Sequence, residues 1–420
     1  ASNNGVDFGS FVKTSGITFS PDVNANRPAN AAANTSYNLA VTDENFKFPQ
    51  IFRSNLAIDK KIFADITATL EGIYTKDINA VYHKNINLPS TGSPLVGPDN
   101  RIRYTGTQIY NGAGGATATN PNISDAILMT NTSKGYSYNI TGQLQRNINN
   151  LYTMVAYTYG KSRSVNDGGS IAQSIWRDRP VSGDPNLPEL GYSGFNQPHR
   201  VVAAAYYRKE YLKHFATSIG LTYEAANGGT ASYAYNGDVN GDALTGNDLI
   251  YVPRSQSEIV LVPENAADTR SATVAWNQLN AFINQDPYLS HRRGLYAERN
   301  GLMLPFYKRL DLNFTQDFMV KVGKHINTFR FTADIYNFGN LINKNWGIFR
   351  STSRSLGSGS NYSLLNFKGI VASGADAGKP SFSFPYLDAA NQIPLTNTFQ
   401  NSTSQSSRFQ VQLGIRYLFQ

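Results

Sequence analysis

The sequence is notable first for what it lacks, because each absence removes a class of protein. It contains no cysteine among its 420 residues, so disulfide bonds, thiolate metal sites and cysteine nucleophiles are excluded. Its longest apolar run, at residues 201–207, falls far short of the roughly 18 residues that a membrane-spanning helix requires. The sequence therefore predicts no transmembrane helix.

Charged residues are also scarce, at 16% of the chain. The net charge of +8 is not concentrated in a basic segment, which argues against a nucleic-acid partner. The five histidines are scattered along the sequence, so a zinc site is not expected. We find no set of residues with the spacing of a catalytic site, and we expect no enzyme.

The clearest positive pattern lies at the C-terminus, in residues 408–420. Because side chains of a strand alternate between its two faces, an apolar residue at every second position gives one apolar and one mostly polar face. A soluble sheet edge shows the same alternation, but a chain that ends next to an aromatic is typical of the strand that closes an outer-membrane barrel. The apolar residues of this strand are Phe409, Val411, Leu413, Ile415, Tyr417 and Phe419.

Eight further segments are predicted as strands, most of which alternate in the same way, and short turns and long connections follow one another between them. Outer-membrane barrels have tight periplasmic turns and long extracellular loops, whereas a soluble sandwich has no reason to place its long connections at one end. We therefore predict an all-β fold, a transmembrane antiparallel β-barrel portion in the outer membrane of a Gram-negative bacterium. The segments are about 50–59, 62–75, 136–145, 151–159, 200–208, 215–223, 310–318 and 329–335, and the long loops about 80–126, 161–198, 227–304 and 340–407.

Nine strands, counted with the last one, form an odd number, and single-chain bacterial barrels have even numbers. We therefore expect the missing strands upstream or on another chain. Residues 1–45 are rich in Asn, Ala, Ser and Pro, and we predict an extracellular loop region there, followed by the barrel portion at 46–420. The chain opens without a signal peptide, so we expect a fragment of a longer protein.

Charged residues recur on the polar faces of the predicted strands, and we predict that they face the barrel lumen. Two interpretations are open, a hydrogen-bonded wall and a set of contacts to substrate. We favour the wall, because a wide barrel must satisfy its interior polar groups in any case. The candidates are Arg53, Asp65, Glu71, Arg309, Asp311, Asp317, Arg330 and Asp334. The first tight turn is predicted at Lys60 and Lys61.

The longest connection contains two local signals. Trp276, Leu279, Phe282 and Ile283 recur at helical spacing behind a candidate N-cap at Ser271, which predicts one short helix.

The second signal is the polar loop at residues 238–248. Oxygen ligands at alternate positions are how a flexible loop wraps Ca²⁺, although Ala243 stands where such loops have glycine. The alternative interpretation is a polar Asn-Gly and Asp-Gly turn that caps a hairpin. If Ca²⁺ binds, we expect it to stiffen an extracellular loop and to take no part in catalysis. The candidate ligands are Asp238, Asn240, Asp242 and Asp248.

Four stretches resemble the barrels of TonB-dependent outer-membrane receptors, and their combination is most similar to the Oar-like (OmpA-related) branch typical of Bacteroidetes. They are GYSYNITGQLQ at 135–145, VAYTYGKS at 155–162, the paired segments 235–242 and 246–253, and the segment 288–301. The resemblance spans most of residues 56–420. It implies a barrel of about 22 strands with an N-terminal plug that TonB pulls to admit cargo. We identify neither the plug nor a TonB-contacting segment in this sequence.

The leading hypothesis is thus the C-terminal part of the barrel of a TonB-dependent transporter for a large ligand such as a peptide. Its partners would be outer-membrane lipid, the remainder of the same barrel and, as the resemblance implies, TonB. The alternative is a non-transporting barrel that displays its loops for adhesion or for assembly with other surface proteins. A passive porin is a third interpretation.

Overall fold

The computed structural model describes residues 21–22, 37–88, 92–104, 123–354 and 361–419. Most of the predicted loop region 1–45 therefore lies outside the described residues. Nine long strands dominate the described part of the chain, at the places where the sequence predicts strands. They are β1 (Gln50–Lys61), β2 (Ile66–Asn85), β3 (Tyr136–Ile148), β4 (Leu151–Ser164), β5 (His199–Tyr211), β6 (Phe215–Asn227), β7 (Phe306–Val322), β8 (His325–Tyr336) and β9 (Gln410–Phe419).

These strands form an antiparallel meander in which each strand pairs with the next along the chain. Tight turns join β1 to β2, β3 to β4, β5 to β6 and β7 to β8, and the long connections leave from the opposite end of the sheet. Asn149 (φ 50°) and Gly323 (φ 63°) adopt the left-handed conformation that two of these turns need. In the described part of the chain, β1 pairs with β2 alone and β9 with β8 alone, so both remain open edges.

The first tight turn lies elsewhere than predicted. Lys60 and Lys61 belong to β1 and pair with β2, and the chain reverses at residues 62–65, where Phe63–Asp65 form a 3-10 turn. Asp65 has a φ of 60°, which aspartate tolerates better than most residues. The prediction that Asp65 faces the lumen is therefore wrong. Alternation alone missed the turn, because Lys60 and Lys61 also fit the end of a strand.

The strand β2 is longer than its alternating segment, because it continues to Asn85 and pairs there with the strand Ile123–Thr132. This strand and β3 follow one another along the same edge of β2 in one register, separated by residues 133–135. The strands Tyr37–Thr42 and Gly191–Tyr192 add to the same sheet, which brings it to 12 strands among the described ranges. The pair formed by β2 and the strand Ile123–Thr132 therefore projects beyond the rest of the sheet into the first long connection.

The two longest connections fold together into what we call the loop domain, residues 228–305 and 361–399 with the segment 92–104. Its sheet has five strands, in the order Val260–Leu261, Pro380–Ser383, Asn361–Ile370, Thr230–Asn236 and Leu302–Met303. Further short strands are Ser93–Pro94, Ile102–Arg103, Arg350–Thr352, Tyr386–Asp388, Ile393–Pro394 and Phe399–Asn401, and short 3-10 turns are Gln256–Glu258, Leu289–His291 and Gln405–Ser407.

Three helices accompany the strands in the residues that the structure describes: α1 (Ala172–Arg177), α2 (Ala272–Gln285) and α3 (Phe338–Ile342). The predicted short helix is confirmed as α2, and the Ser271 side chain caps it by accepting the backbone N–H of Val274 at 3.3 Å. Its four predicted apolar residues are buried in the core of the loop domain. Within the described ranges, every helix is too short or too polar to traverse a bilayer.

Candidate functional site

The outer face of the sheet is apolar and exposed. Ile415 is 83% exposed and Leu413 is 65% exposed, and the whole odd-numbered series of β9 shares this face. Opposite residues of an antiparallel pair lie on the same side, so Phe331, which pairs with Ile415, extends the apolar surface to β8. A surface of this kind is unfavourable in water and fits contact with lipid. The members in β9 and just before it are Phe409, Val411, Leu413, Ile415, Tyr417 and Phe419.

The inner face of the sheet carries charged residues that are paired with one another. Asp317, whose side chain is only 1% exposed, accepts hydrogen bonds from Arg330 Nε at 2.6 Å and from Arg208 Nη1 at 3.2 Å. Arg309 lies 3.1 Å from Asp311. These ion pairs compensate charges that would otherwise be costly to bury.

The strand register places the remaining candidates, Asp334, Arg53 and Glu71, on the same inner face. Asp334 accepts a hydrogen bond from the side-chain amide of Asn313, its opposite residue on β7. Arg53 on β1 and Glu71 on β2 lie on the same face by strand pairing. The structure therefore brings every one of these candidates except Asp65 to one polar wall.

Sequence reasoning missed three members of this wall. Arg208 shares Asp317 with Arg330, and Arg200 lies 2.8 Å from Glu224, which is also 3.5 Å from Arg309. The run of valine and alanine at 201–205 in β5 hides its alternation, because small apolar residues fit either face. Only the pairing of β5 with β6 reveals which side its charges occupy.

The polar loop at residues 238–248 lies in the loop domain, and the structure brings its four candidate ligands together. Asp238 accepts hydrogen bonds from the backbone N–H groups of residues 241–243, at 2.6–3.1 Å. Asp248 is fully buried and accepts from the Val239 N–H at 2.7 Å and from Arg101 Nη1 at 3.0 Å. Backbone and arginine donors thus already satisfy these two carboxylates.

The centre of the same loop is a pair of side-chain amides around one carboxylate. Asp242 Oδ2 accepts from Asn240 Nδ2 at 3.0 Å and from Asn247 Nδ2 at 2.9 Å. Burial and the charge of Asp248 raise the pKa of Asp242 to about 7. Burial likewise raises the pKa of Asp238. In the described ranges, no group of three or more His, Asp or Glu side chains is arranged to hold a metal ion. Ca²⁺ binding stays a prediction.

The buried Arg101 fastens the segment 92–104 to this loop. Its guanidinium lies between Asp99, at 2.9 Å, and Asp248, at 3.0 Å, and it also donates to the Leu249 carbonyl at 2.6 Å. The Arg101 side chain is fully buried, and it contacts the ring of Tyr235 at 5.1 Å. These contacts explain how the polar loop keeps its shape inside a folded domain.

The two faces of the sheet, one apolar and exposed and one polar with paired charges, define the wall of a membrane-spanning β-barrel. The family described as "Outer membrane beta barrel domain" matches residues 2–363, which is most of the chain. The chain therefore belongs to this family, and it is an outer-membrane protein of a Gram-negative bacterium. No curated protein and no solved structure matches the chain.

Proposed function

We propose that the chain is the C-terminal part of the barrel of an Oar-like TonB-dependent transporter, which takes up a large ligand such as a peptide. The observation that carries the proposal is the inner face of β9. Gln412 and Arg416 on this face are exposed, so no opposite wall packs against them within the described residues. Small barrels of about eight strands fill their interior with side chains, and an open inner face favours a wide lumen.

In this proposal the wide lumen holds a plug supplied by the rest of the protein, and β1 and β9 pair with the remaining strands of the same barrel. TonB energises the displacement of the plug. The contribution of this chain is a wall whose charges remain satisfied when the plug moves, because Asp317 and Asp311 have arginine partners within the wall itself.

The experiment is an uptake assay with a labelled mixture of peptides in cells that produce the whole protein. Uptake should fall to the level of a receptor deletion when TonB is removed or when a protonophore collapses the proton gradient. Uptake that continues unchanged without TonB would contradict energised transport and would favour a passive porin.

A second function, the display of a binding surface, is favoured by the loop domain. This domain has its own hydrophobic core around α2, in which Phe282 packs against Tyr362 with ring centroids 6.0 Å apart. A folded domain presents a fixed surface, which suits adhesion or assembly with other surface proteins. Retention of a surface partner by intact cells that take up no ligand would favour this function over transport.

A further inference from the structure

A cavity of about 660 Å³ lies at the end of the sheet that carries the long connections. Its walls come from the segment 166–170 after β4, from the segment 174–180 that contains the end of α1, and from the loop domain at residues 228–230 and 299–300. The volume is that of a site for a small ligand or for a few residues of a larger one. Gly168, Gly169 and Ser170 on its rim are exposed, so the cavity is accessible.

Two buried arginines line this cavity, and both have unused hydrogen-bond donors. Arg179 and Arg299 are each only 6% exposed. Arg179 donates through Nη2 to the Pro185 carbonyl, and Arg299 donates through Nη1 and Nη2 to the carbonyls of Val165 and Ser164. Within the described part of the chain, Nε and Nη1 of Arg179 and Nε of Arg299 are buried without a hydrogen-bond partner. Such donors are costly unless something accepts from them.

The described residues supply no carboxylate within ion-pair distance of these two arginines, although the guanidinium of Arg179 lies 5.2 Å from the centre of the Tyr82 ring. Neither forms an ion pair with another described residue. The two acids on the cavity wall are already engaged, since Asp178 pairs with Arg177 at 2.7 Å and Asp167 accepts from the Ser164 hydroxyl at 2.7 Å.

Charged groups of both signs lie near Arg299. Burial lowers the pKa of Arg299 to about 10. The carboxylates of Asp167 and Glu189 oppose this lowering, and the positive charges of Arg179 and Arg163 add to it. Arg299 is still protonated at neutral pH, and a buried positive charge without an ion-pair partner favours the entry of an anion.

Glycines leave part of the cavity wall as bare backbone. Gly168, Gly169 and Gly229 have φ angles of 68°, 100° and 118°, and a Cβ added at any of them would meet no atom within 4 Å. A ligand can therefore approach the main-chain groups at these positions directly. Exposed main-chain donors and acceptors suit a ligand that itself carries amide groups.

We propose that this cavity binds a carboxylate group, with Arg179 as its main cationic partner and Arg299 as the second, and that the carboxylate is the C-terminus of a peptide. The choice of a peptide rests on the proposed function, whereas the arginine site stands without it. A small organic acid is the other source of the same group, and the experiment separates the two sources.

The test is calorimetric titration of the whole protein, purified in detergent, with trialanine, with trialanine amide and with succinate. Trialanine should bind, and the amide should bind about tenfold to a hundredfold more weakly, because a charge-assisted hydrogen bond to a buried arginine is lost. Arg179→Gln should weaken trialanine binding by a similar factor. Arg254→Gln is the matched control, because Arg254 is exposed, pairs with Glu258 and lies outside the cavity wall, so this variant should bind as the wild type does.

A second variant guards against a folding defect in Arg179→Gln. Ser170→Trp places a large side chain at the exposed rim, has no buried contact to lose, and should also weaken binding. The folded state of each variant is checked by its heat-dependent mobility in electrophoresis.

Three outcomes decide the proposal. Absence of binding by both trialanine and succinate would overturn it, as would wild-type affinity in Arg179→Gln and Ser170→Trp. Binding of succinate alone, lost in Arg179→Gln, would support the carboxylate site and overturn the peptide as its source. Because TonB takes no part in this titration, failure of energised uptake leaves the result unaffected.

Discussion

Asp317 has two arginine partners on the inner wall, Arg330 from the neighbouring strand β8 and Arg208 from β5, two strands away. We predict that Asp317→Ala lowers the free energy of unfolding by about 2 kcal/mol, because both arginines lose their shared acceptor. The loss stays moderate because each arginine side chain remains about a third exposed (31% and 32%) and can be hydrated. Urea unfolding in lipid vesicles measures it.

The control for this prediction is Glu210→Ala. Glu210 also pairs with Arg208, at 3.2 Å, but its side chain is 67% exposed, so its removal should cost between about 0 and 1 kcal/mol. Equal losses in the two variants would contradict a special role for the buried carboxylate.

Asp242 makes the stability of the protein depend on pH. Its pKa rises from 3.8 in the unfolded chain to about 7 in the folded protein, so the folded state holds the proton more tightly. The stabilisation from this proton is complete below about pH 4 and is lost as the pH rises to about 7. We predict that Asp242→Asn stabilises the loop domain at pH 8 by a few kcal/mol, at about 1.4 kcal/mol per unit of pKa.

The measurement is the difference in unfolding midpoint between Asp242→Asn and the wild type at pH 5 and at pH 8. Taking the difference removes the contributions of other groups, such as Asp268, whose pKa the hydrogen bond from Arg270 lowers. A difference that does not change with pH would show that the Asp242 pKa is not raised.

At the scale of the element, β9 separates a lipid-facing series from an inner series. We predict that Ile415→Arg, near the middle of the strand, destabilises the protein in bilayers by about 2–4 kcal/mol, because a charge is placed in hydrocarbon. Gln412→Arg on the inner face of the same strand is the matched control and should be tolerated. The fraction of protein that folds into lipid vesicles measures both, and equal defects would contradict the assignment of the two faces.

The polar loop at 238–248 carries the proposal that Ca²⁺ binds there. If it does, calcium should protect this loop from protease, and a chelator should remove the protection. Asp238→Asn keeps one side-chain oxygen but removes the negative charge of the ligand, so it should abolish the effect of calcium. Protease sensitivity that is the same with calcium and with chelator would favour the alternative interpretation, a turn held by its own hydrogen bonds.

At the scale of the whole molecule, the long connections are predicted to face the cell exterior and the tight turns the periplasm. These 420 residues contain no cysteine, so a single introduced cysteine is the one thiol that this part of the protein offers for labelling. We predict that Ala390→Cys, in an exposed part of the last long connection, reacts with an impermeant maleimide on intact cells. Lys324→Cys, in the turn between β7 and β8, should react only after the outer membrane is permeabilised. The reverse pattern would contradict the predicted orientation.

The positions of the strands could be predicted from local sequence patterns, whereas the loop domain and the pairing of charges on the inner wall could not. Period-two alternation placed most of the nine long strands, and helical spacing placed α2, since both signals depend only on which face of an element is buried. The loop domain was invisible to this reasoning, because its sheet pairs residues such as Ser232 and Asn361 that lie far apart in sequence. The pairing of Asp317 with two arginines from different strands was hidden for the same reason.

Sequence by itself determined the class of the protein. Alternation of apolar and polar residues favours a sheet with one apolar face towards lipid and one polar face. The regular succession of short and long connections favours an antiparallel meander. Tertiary structure decided which polar residues meet. The buried arginines Arg179 and Arg299 come from separate connections, and no local pattern marks them. Only folding brings them to one cavity, because burial and charge compensation depend on distances in space that the order of residues along a chain does not contain.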